Sequence, residues 1–371
     1  MRAAAEWMER HQVALYLLAL AVGAAAGLLV PGIADPAERA INPILALLLY
    51  ATFLGVPFAR IGQAVRDWRF LGTVSLVNFV FVPVVVWAVT RLIAHDHVLL
   101  VGALFVLLTP CVDYVLVFTG LAGGAKDRLL AAAPLLMLAQ MLLLLLYLWA
   151  FVGEEFVERV DLAPFAEAFL FLIALPLAAA GLTQLLASRR SVDPQVGGEE
   201  RHRTRVAQLF ASRRRIGPRL GRGGRHRIRV TQLLASRRRA GEVLRDAVVD
   251  AMVPLMMLTL AVVVASQIAG VGERIGALVR VVPVYALFAV GMAVIGAMAS
   301  RVAGLDVPGR RAIVFSGVTR NSLVVLPLVL ALPAAFDLAP LVVVTQTLVE
   351  LVVMVIFVRL IPRLIPETDA P

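Results

Sequence analysis

The sequence predicts an all-α membrane protein with about ten transmembrane helices, arranged as two inverted five-helix repeats. Three observations lead to this prediction. The chain has 371 residues, of which 61% are hydrophobic, and its mean hydropathy is +0.90. The apolar residues occur in long runs, and about 20 mostly apolar residues suffice to cross a bilayer as a helix. Two of these runs are interrupted by polar residues at equivalent places in the two halves of the chain.

Ten apolar segments follow one another along the chain, of which the second is short and the ninth is interrupted. The start of the chain, MRAAAEWMERHQ, is polar, and the run after it is long enough to span. We therefore expect no cleavable signal peptide. The predicted spans are 13–30, 42–58, 70–93, 98–122, 129–152, 164–187, 246–269, 281–299, 312–333 and 339–361.

Basic residues in the short loops predict the orientation of these spans. Cytoplasmic loops carry an excess of Lys and Arg, and here the basic loops follow the even-numbered spans. The loop after span 5, GEEFVERVDLA, is acidic instead. We therefore expect a multi-pass protein of the cytoplasmic membrane with both termini in the cytoplasm, and an even number of spans agrees with this. The residues concerned are Arg60, Arg66, Arg69, Lys126, Arg128, Arg301, Arg310, Arg311, Arg359 and Arg363.

One loop carries the net charge of +10 and divides the chain into three parts. Residues 188–245 contain 17 Arg against four acidic residues, between 1–187 with spans 1–6 and 246–371 with spans 7–10. Within the loop, LTQLLASRR (from Leu182) recurs at a constant spacing as VAQLFASRRR (from Val206) and VTQLLASRRR (from Val230). A tandem duplication that leaves a flexible loop explains this pattern, and an electrostatic tether to anionic lipid is the functional alternative. We expect no nucleic-acid binding, because no aromatic stacking residues are interleaved.

The motifs of several function classes are missing. The chain has no phosphate-binding Gly-rich loop, no nucleophile elbow and no HExxH helix, so we expect neither an enzyme nor an ATP-driven pump. A single cysteine excludes an intramolecular disulfide and a cysteine-cluster metal site. His95 and His97 form an H-x-H pair that we assign to a loop. We expect no cofactor and no resident metal.

Spans 4 and 9 each contain a polar interruption near mid-membrane. Backbone freed from a helix at this depth must be buried in protein or line a water-filled cavity. Paired interrupted helices in an inverted repeat are the best sequence pointer to the binding site of a secondary transporter. The candidate site residues in span 4 are Pro110, Cys111 and Asp113, and those in span 9 are Thr319, Arg320, Asn321 and Ser322.

The spans that follow the two interruptions add further candidates. Gln140 lies near the middle of span 5 and Gln346 near the middle of span 10, and we pair these two glutamines across the repeats. Glu350 is four positions after Gln346 and therefore shares its helix face. Arg320 is expected to compensate Asp113 or Glu350. Alternatively, such an ion pair only locks two helices together.

The stretches PCVDYVLVFTGLAGG and TRNSLVV resemble the arsenite-efflux permeases of the bile acid/sodium symporter-like superfamily. The resemblance covers the chain except for 188–245. It implies ten helices in two inverted repeats, with helices 4 and 9 broken and crossing at the site. It also implies that Cys111 handles trivalent arsenic as a substrate. The chain departs from the family pattern at two places. The family has an acidic residue shortly after the asparagine of span 9, where this chain has SLV from Ser322. Arg320 also puts a cation where sodium-coupled relatives bind one.

Three functions are compatible with these residues. The first is arsenite efflux by proton antiport, with antimonite as a further substrate and with Asp113 or Glu350 carrying the proton in place of sodium. The second is ion-coupled transport of an organic anion, with Arg320 as its counter-charge. The third belongs to another class, a membrane sensor or scaffold with the Arg-rich loop as its output. We favour the first, because soft trivalent arsenic prefers sulfur ligands.

Overall fold

The computed structural model describes residues 2–55, 66–111, 114–153, 163, 167, 169–189, 251–330 and 332–367. Within these ranges the regular secondary structure is helical, and the only β-type pairing is one isolated bridge. The α-helices are α1 (Arg2–Leu29), α2 (Ala34–Gly55), α3 (Trp68–Leu76), α4 (Val82–Thr90), α5 (His97–Leu107), α6 (Tyr114–Leu121), α7 (Lys126–Val152), α8 (Leu175–Arg189), α9 (Met252–Leu278), α10 (Val282–Val302), α11 (Val307–Val318), α12 (Ser322–Leu330) and α13 (Ala339–Leu364). Two π-helical segments precede α4 and α8, namely Val77–Phe81 and Phe169–Ala174.

The helices confirm an all-α membrane protein. In the part of the chain that the structure describes, five helices are long and apolar enough to cross a membrane, or six if a bent pair within α7 counts as one span. That pair bends by 48° between Gln140 and Leu142. The count is lower than the ten predicted spans, because spans 4 and 9 are each divided into two short helices and others are shorter than a full span. The Arg-rich loop lies outside the described residues from position 190 onward.

The helices pack as two bundles. Helices α1, α2, α8 and α9 form the first bundle, in which α9 contacts both α1 and α2. Helices α3–α7 and α10–α13 form the second bundle, whose centre contains α5, α11, α12 and α13. The principal contacts between the bundles join α9 to α13 and α2 to α12. Because spans 4 and 9 both belong to the second bundle, the candidate site lies inside it.

Two glycines allow a close helix contact in the first bundle. A Cβ atom on Gly23 would lie 2.4 Å from the carbonyl oxygen of Ala261, and one on Gly27 would lie 2.6 Å from that of Ala265. Small residues four positions apart let two membrane helices approach until their backbones touch. The spacing of Gly23 and Gly27 on α1 therefore fixes its packing against α9.

An ion pair joins the two bundles at the end of α9. Arg274 has non-helical backbone angles (φ −120°, ψ 16°) and lies where α9 turns toward α10. Its guanidinium donates to both carboxylate oxygens of Asp337, at 2.9 and 2.8 Å. These hydrogen bonds lower the pKa of Asp337, which lies between α12 and α13 outside the membrane-spanning segments. The bidentate pair thus anchors the kink of α9 to the start of α13.

An aspartate precedes both α5 and α11, at corresponding positions in the two halves of the chain. Asp96 precedes α5, and its carboxylate accepts a hydrogen bond from the Leu99 N–H (3.2 Å). Asp306 precedes α11 in the corresponding position and accepts two hydrogen bonds from Arg128, at 2.5 and 3.2 Å. Aspartate is preferred before the first turn of a helix because its oxygen can satisfy a free N–H, and Asp96 does so, whereas Asp306 makes no such bond to α11. An aspartate thus starts the first half of span 4 and of span 9.

Candidate functional site

Spans 4 and 9 cross where both helices are interrupted. The helix α5 ends at Leu107 and α11 ends at Val318. Between the helical halves, Pro110 and Arg320 form an antiparallel bridge. The Cys111 N–H donates to the Thr319 carbonyl (3.4 Å), and the Asn321 N–H donates to the Thr109 carbonyl (2.9 Å). The crossing therefore satisfies backbone groups that lipid could not satisfy, and the two spans pass through it in opposite directions.

The two non-helical segments of the crossing, 109–111 and 319–321, correspond residue by residue. The bonds from Cys111 and Asn321 are reciprocal, as an approximate twofold axis through the bridge requires. The Thr109 hydroxyl donates to the carbonyl of the residue four positions earlier, and the Thr319 hydroxyl does the same (3.0 and 2.8 Å). The sequences FVLLTPC and FSGVTRN thus align at the same sequence offset that relates the aspartates before α5 and α11. The predicted meeting of broken spans 4 and 9 is confirmed.

This register changes one prediction. Gln140 lies as far beyond Cys111 in the sequence as Glu350 lies beyond Asn321, so the twofold relates Gln140 to Glu350. The pairing of Gln140 with Gln346 does not hold in this register, in which Gln346 corresponds to Leu136. From the sequence alone, Gln140 pairs more readily with Gln346 than with Glu350, because the first two are the same residue type at mid-helix positions. Only the backbone bridge fixes which residues of the two repeats are equivalent.

The side chain of Arg320 is fully buried (0% exposed) and bonds to the ends of two half-helices. Its guanidinium also lies over the Phe288 ring, 5.4 Å from the ring centroid. The carboxyl end of a helix carries a partial negative charge, so a buried cation is stabilised there. Arg320 acts as a tethered cation at the crossing. Its acceptors are the carbonyl oxygens of Ser316 (2.6 Å), Gly317 (2.8 Å) and Leu107 (3.4 Å) and Oδ1 of Asn78 (2.9 Å).

Glu350 contacts the crossing through the backbone of Arg320. Its Oε2 accepts the Arg320 N–H (2.7 Å) and the side-chain amide of Gln346 (2.5 Å). Glu350 is buried between α13 and the crossing, with 6% of its surface exposed. Arg320 and Glu350 are thus in contact, but the carboxylate bonds to the Arg320 backbone while the guanidinium bonds to Asn78 and the carbonyls, so the expected charge compensation stays a prediction. The carboxylate is therefore positioned to respond to any change at the crossing.

Two further candidate residues fasten the second half of span 9. The Asn321 Oδ1 accepts the Val324 N–H (3.2 Å) and so caps the start of α12. The Thr347 hydroxyl on α13 donates to the Ser322 hydroxyl (2.8 Å). These bonds hold α12 against α13 beside Glu350. Ser322 thus has a positioning role in the described structure.

Several buried polar atoms of the second bundle have no hydrogen-bond partner among the described residues. Such atoms are rare in folded proteins and call for an explanation, such as a ligand, an ion or water. A cavity of about 10 Å³ lies beside Glu350 and Gln346, against Tyr285 and Phe288, and has room for about one water molecule. The atoms without partners include both amide atoms of Gln140, Nδ2 of Asn321, Oε1 of Gln346, Nε of Arg320 and Oγ1 of Thr119.

Most of the predicted site residues take part in this arrangement. Pro110, Cys111, Thr319, Arg320 and Asn321 form the crossing itself, and Cys111 is 3% exposed. Asp113 lies outside the described residues, so its proposed charge compensation stays a prediction. Sequence reasoning missed the carbonyl partners of Arg320 and the ring of Phe288. Carbonyl groups occur in every residue, and no sequence pattern marks which of them face a cation.

Comparison with known proteins adds one similarity. No curated protein matches the chain. Residues 42–199 match the family model described as the sodium bile acid symporter family, a segment that includes Cys111 and Gln140. This similarity supports the bile acid/sodium symporter-like superfamily and a role in transport for this multi-pass membrane protein, and it carries no information on arsenite.

Proposed function

We propose that the protein exports arsenite across the cytoplasmic membrane in exchange for protons. The observation that carries the proposal is the position of Cys111, the only thiol of the chain, in the non-helical crossing at the centre of the second bundle. A thiol is the protein ligand that best suits soft trivalent arsenic. The thiol thus lies at a point where two broken helices exchange backbone bonds, and not on the face of a continuous helix.

The chemistry at Cys111 is a ligand exchange. Arsenite at neutral pH is As(OH)3, and attack by the sulfur of Cys111 forms an S–As bond while one As–O bond breaks. The thiol proton leaves with the displaced hydroxide as water, so the product is Cys111–S–As(OH)2 and arsenic stays trivalent. Hydrolysis reverses the step and releases arsenite. A single thiol makes this binding readily reversible, as a carrier requires.

Glu350 supplies the coupling proton in this proposal. Its carboxylate is buried and accepts the N–H of Arg320, one residue from Asn321 and directly opposite Pro110 in the bridge. Protonation replaces a charged acceptor by a neutral one and weakens its hydrogen bonds, since bonds to charged groups are about twice as strong. The state of Glu350 therefore affects the crossing next to Cys111. Asp113 is the second candidate for this role.

The position of Arg320 supports protons over sodium and arsenite over an organic anion. Its guanidinium already occupies the space between the carboxyl ends of α5 and α11 that a small cation would need. The same bonds leave both terminal nitrogens committed to protein acceptors, so Arg320 is poorly placed to receive a substrate carboxylate. We therefore do not propose organic-anion transport. The sensor or scaffold alternative depends on a loop beyond the described residues.

Everted membrane vesicles test the proposal directly. Wild-type vesicles with an acidic interior should accumulate radiolabelled arsenite, a proton ionophore should abolish the accumulation, and replacement of sodium by choline should leave it unchanged. Cys111→Ser should reduce transport at least tenfold. Glu350→Gln should retain arsenite binding and lose the dependence on the pH gradient, whereas the control Glu367→Gln, at an exposed carboxylate, should behave like wild type. Wild-type rates in Cys111→Ser would contradict the thiol mechanism, and transport without a pH gradient would contradict proton antiport.

A further inference from the structure

Gln140 is the buried polar side chain that the described contacts leave most open to a ligand. It is 1% exposed to solvent, and neither its amide oxygen nor its amide nitrogen has a hydrogen-bond partner among the described residues. An amide buried without partners costs free energy that an apolar residue of the same shape would not. It also lies at the 48° bend of α7. A group of this kind calls for a partner such as a ligand, an ion or water.

The twofold register explains why Gln140 has no protein partner in the described structure. Its counterpart Glu350 accepts two hydrogen bonds, one from the backbone N–H of Arg320 and one from the amide of Gln346. In the first repeat, Arg320 corresponds to Pro110, and proline has no N–H to donate. Gln346 corresponds to Leu136, whose side chain is apolar. Both donors that serve Glu350 are therefore missing around Gln140.

The same register gives an expected position for the Gln140 amide. Glu350 Oε2 lies 2.7 Å from the Arg320 nitrogen, and the twofold carries this contact onto the Pro110 nitrogen in span 4. Pro110 is bonded to Cys111 along the chain. By this equivalence we expect the side chain of Gln140 on the side of the crossing where the thiol lies, as Glu350 lies at the opposite half.

We propose that Gln140 binds the hydroxyl groups of the arsenic that Cys111 holds, which deepens the proposed function and rests on it. After the thiol exchange, Cys111–S–As(OH)2 carries two hydroxyls, each able to donate and to accept a hydrogen bond. A glutamine amide offers one acceptor oxygen and two N–H donors, so a single side chain can bind both hydroxyls. Asn321 of span 9 offers a further donor to the same hydroxyls, because its Nδ2 is also without a partner among the described residues.

This arrangement makes Gln140 a specificity residue for the number of hydroxyls on the metalloid. Arsenite and antimonite keep two hydroxyls after binding to one thiol. Methylarsonous acid, CH3As(OH)2, keeps only one, because its methyl group replaces a hydroxyl. A site that hydrogen-bonds a substrate hydroxyl discriminates against analogues that lack it, since the site's own polar atoms are then left unpaired. Gln140 should therefore favour inorganic over methylated arsenic.

Transport in everted vesicles and thermal unfolding in detergent together test the inference. Gln140→Leu should raise the Michaelis constant for arsenite about tenfold, the effect of losing one to two hydrogen bonds, and that for methylarsonous acid about threefold. Its melting temperature without arsenite should equal or exceed that of wild type, because an unpartnered amide has been removed. The control Gln267→Leu, in the first bundle, should leave both Michaelis constants unchanged.

The outcomes separate the inference from the proposed function. If wild type transports arsenite and Gln140→Leu has the same Michaelis constant, Gln140 is no ligand, while the role of Cys111 stands. If wild type transports no arsenite, both proposals fall. Should Gln140→Leu unfold, Gln140→Met, which is closer in length and more flexible, is measured in its place. A marked loss of melting temperature in both variants would show that Gln140 is bonded within the protein and would overturn the inference.

Discussion

Replacing Arg320 by methionine tests whether its guanidinium holds the crossing together. Arg320→Met keeps much of the side-chain volume and removes the charge together with all its hydrogen bonds. The four acceptors, on Asn78, Leu107, Ser316 and Gly317, are then left in a dry interior. Removing one partner of a buried charged network costs about 3–5 kcal/mol. We expect the free energy that closes the crossing to fall by about this amount.

The position of Cys111 provides the assay. It is the only cysteine and is 3% exposed, so a fluorogenic maleimide can label it only when the crossing opens. A loss of about 3–5 kcal/mol should raise the labelling rate at low maleimide by roughly 10²- to 4 × 10³-fold, since every 1.4 kcal/mol is about a factor of ten. The control Arg301→Met, at an exposed position near the end of α10, should change the rate by less than about threefold. A labelling rate for Arg320→Met within tenfold of wild type would refute the idea that the guanidinium ties the two half-helices together.

Three further outcomes follow from other contacts. Asn78→Leu should lower the free energy that closes the crossing by about 1–3 kcal/mol, because Arg320 loses one acceptor and the Ser316 hydroxyl loses its donor. The same labelling assay measures this change, and a labelling rate equal to that of wild type would contradict it. Asp337→Asn should lower the melting temperature at neutral pH. Because the pKa of Asp337 is lowered in the folded state, its stabilising contribution is present at neutral pH and is lost as the pH falls to about 4 and below. The melting temperatures of wild type and Asp337→Asn should therefore converge in acid. A difference that persisted there would exclude the ion pair as its cause. Gly23→Val should separate α1 from α9 and lower the melting temperature, whereas Gly32→Val, where an added Cβ meets nothing within 4 Å, should have a small effect.

Composition and local pattern were sufficient to predict the membrane fold. Long apolar runs have few alternatives in a chain of mean hydropathy +0.90, and Pro110 and the TRNS stretch are visible interruptions. The polar residues of the spans also predicted most of the residues that form the crossing, because a buried polar group in a membrane helix needs a reason to be there. The described residues contain fewer full-length spans than the ten predicted, because a helix broken at mid-membrane and a short helix do not count as full-length spans.

The structure alone decided which residues are equivalent and what Arg320 binds. The bridge between Pro110 and Arg320 joins residues that are far apart in the sequence, and it sets the register of the two repeats. That register relates Gln140 to Glu350 and leaves Gln140 without the donors that Glu350 has. The partners of Arg320 are mostly backbone carbonyl oxygens, which every residue carries. Only the packing of the helix ends decides which of these carbonyls face the guanidinium. The sequence therefore determined where the helices break, and tertiary packing determined how the broken ends face one another.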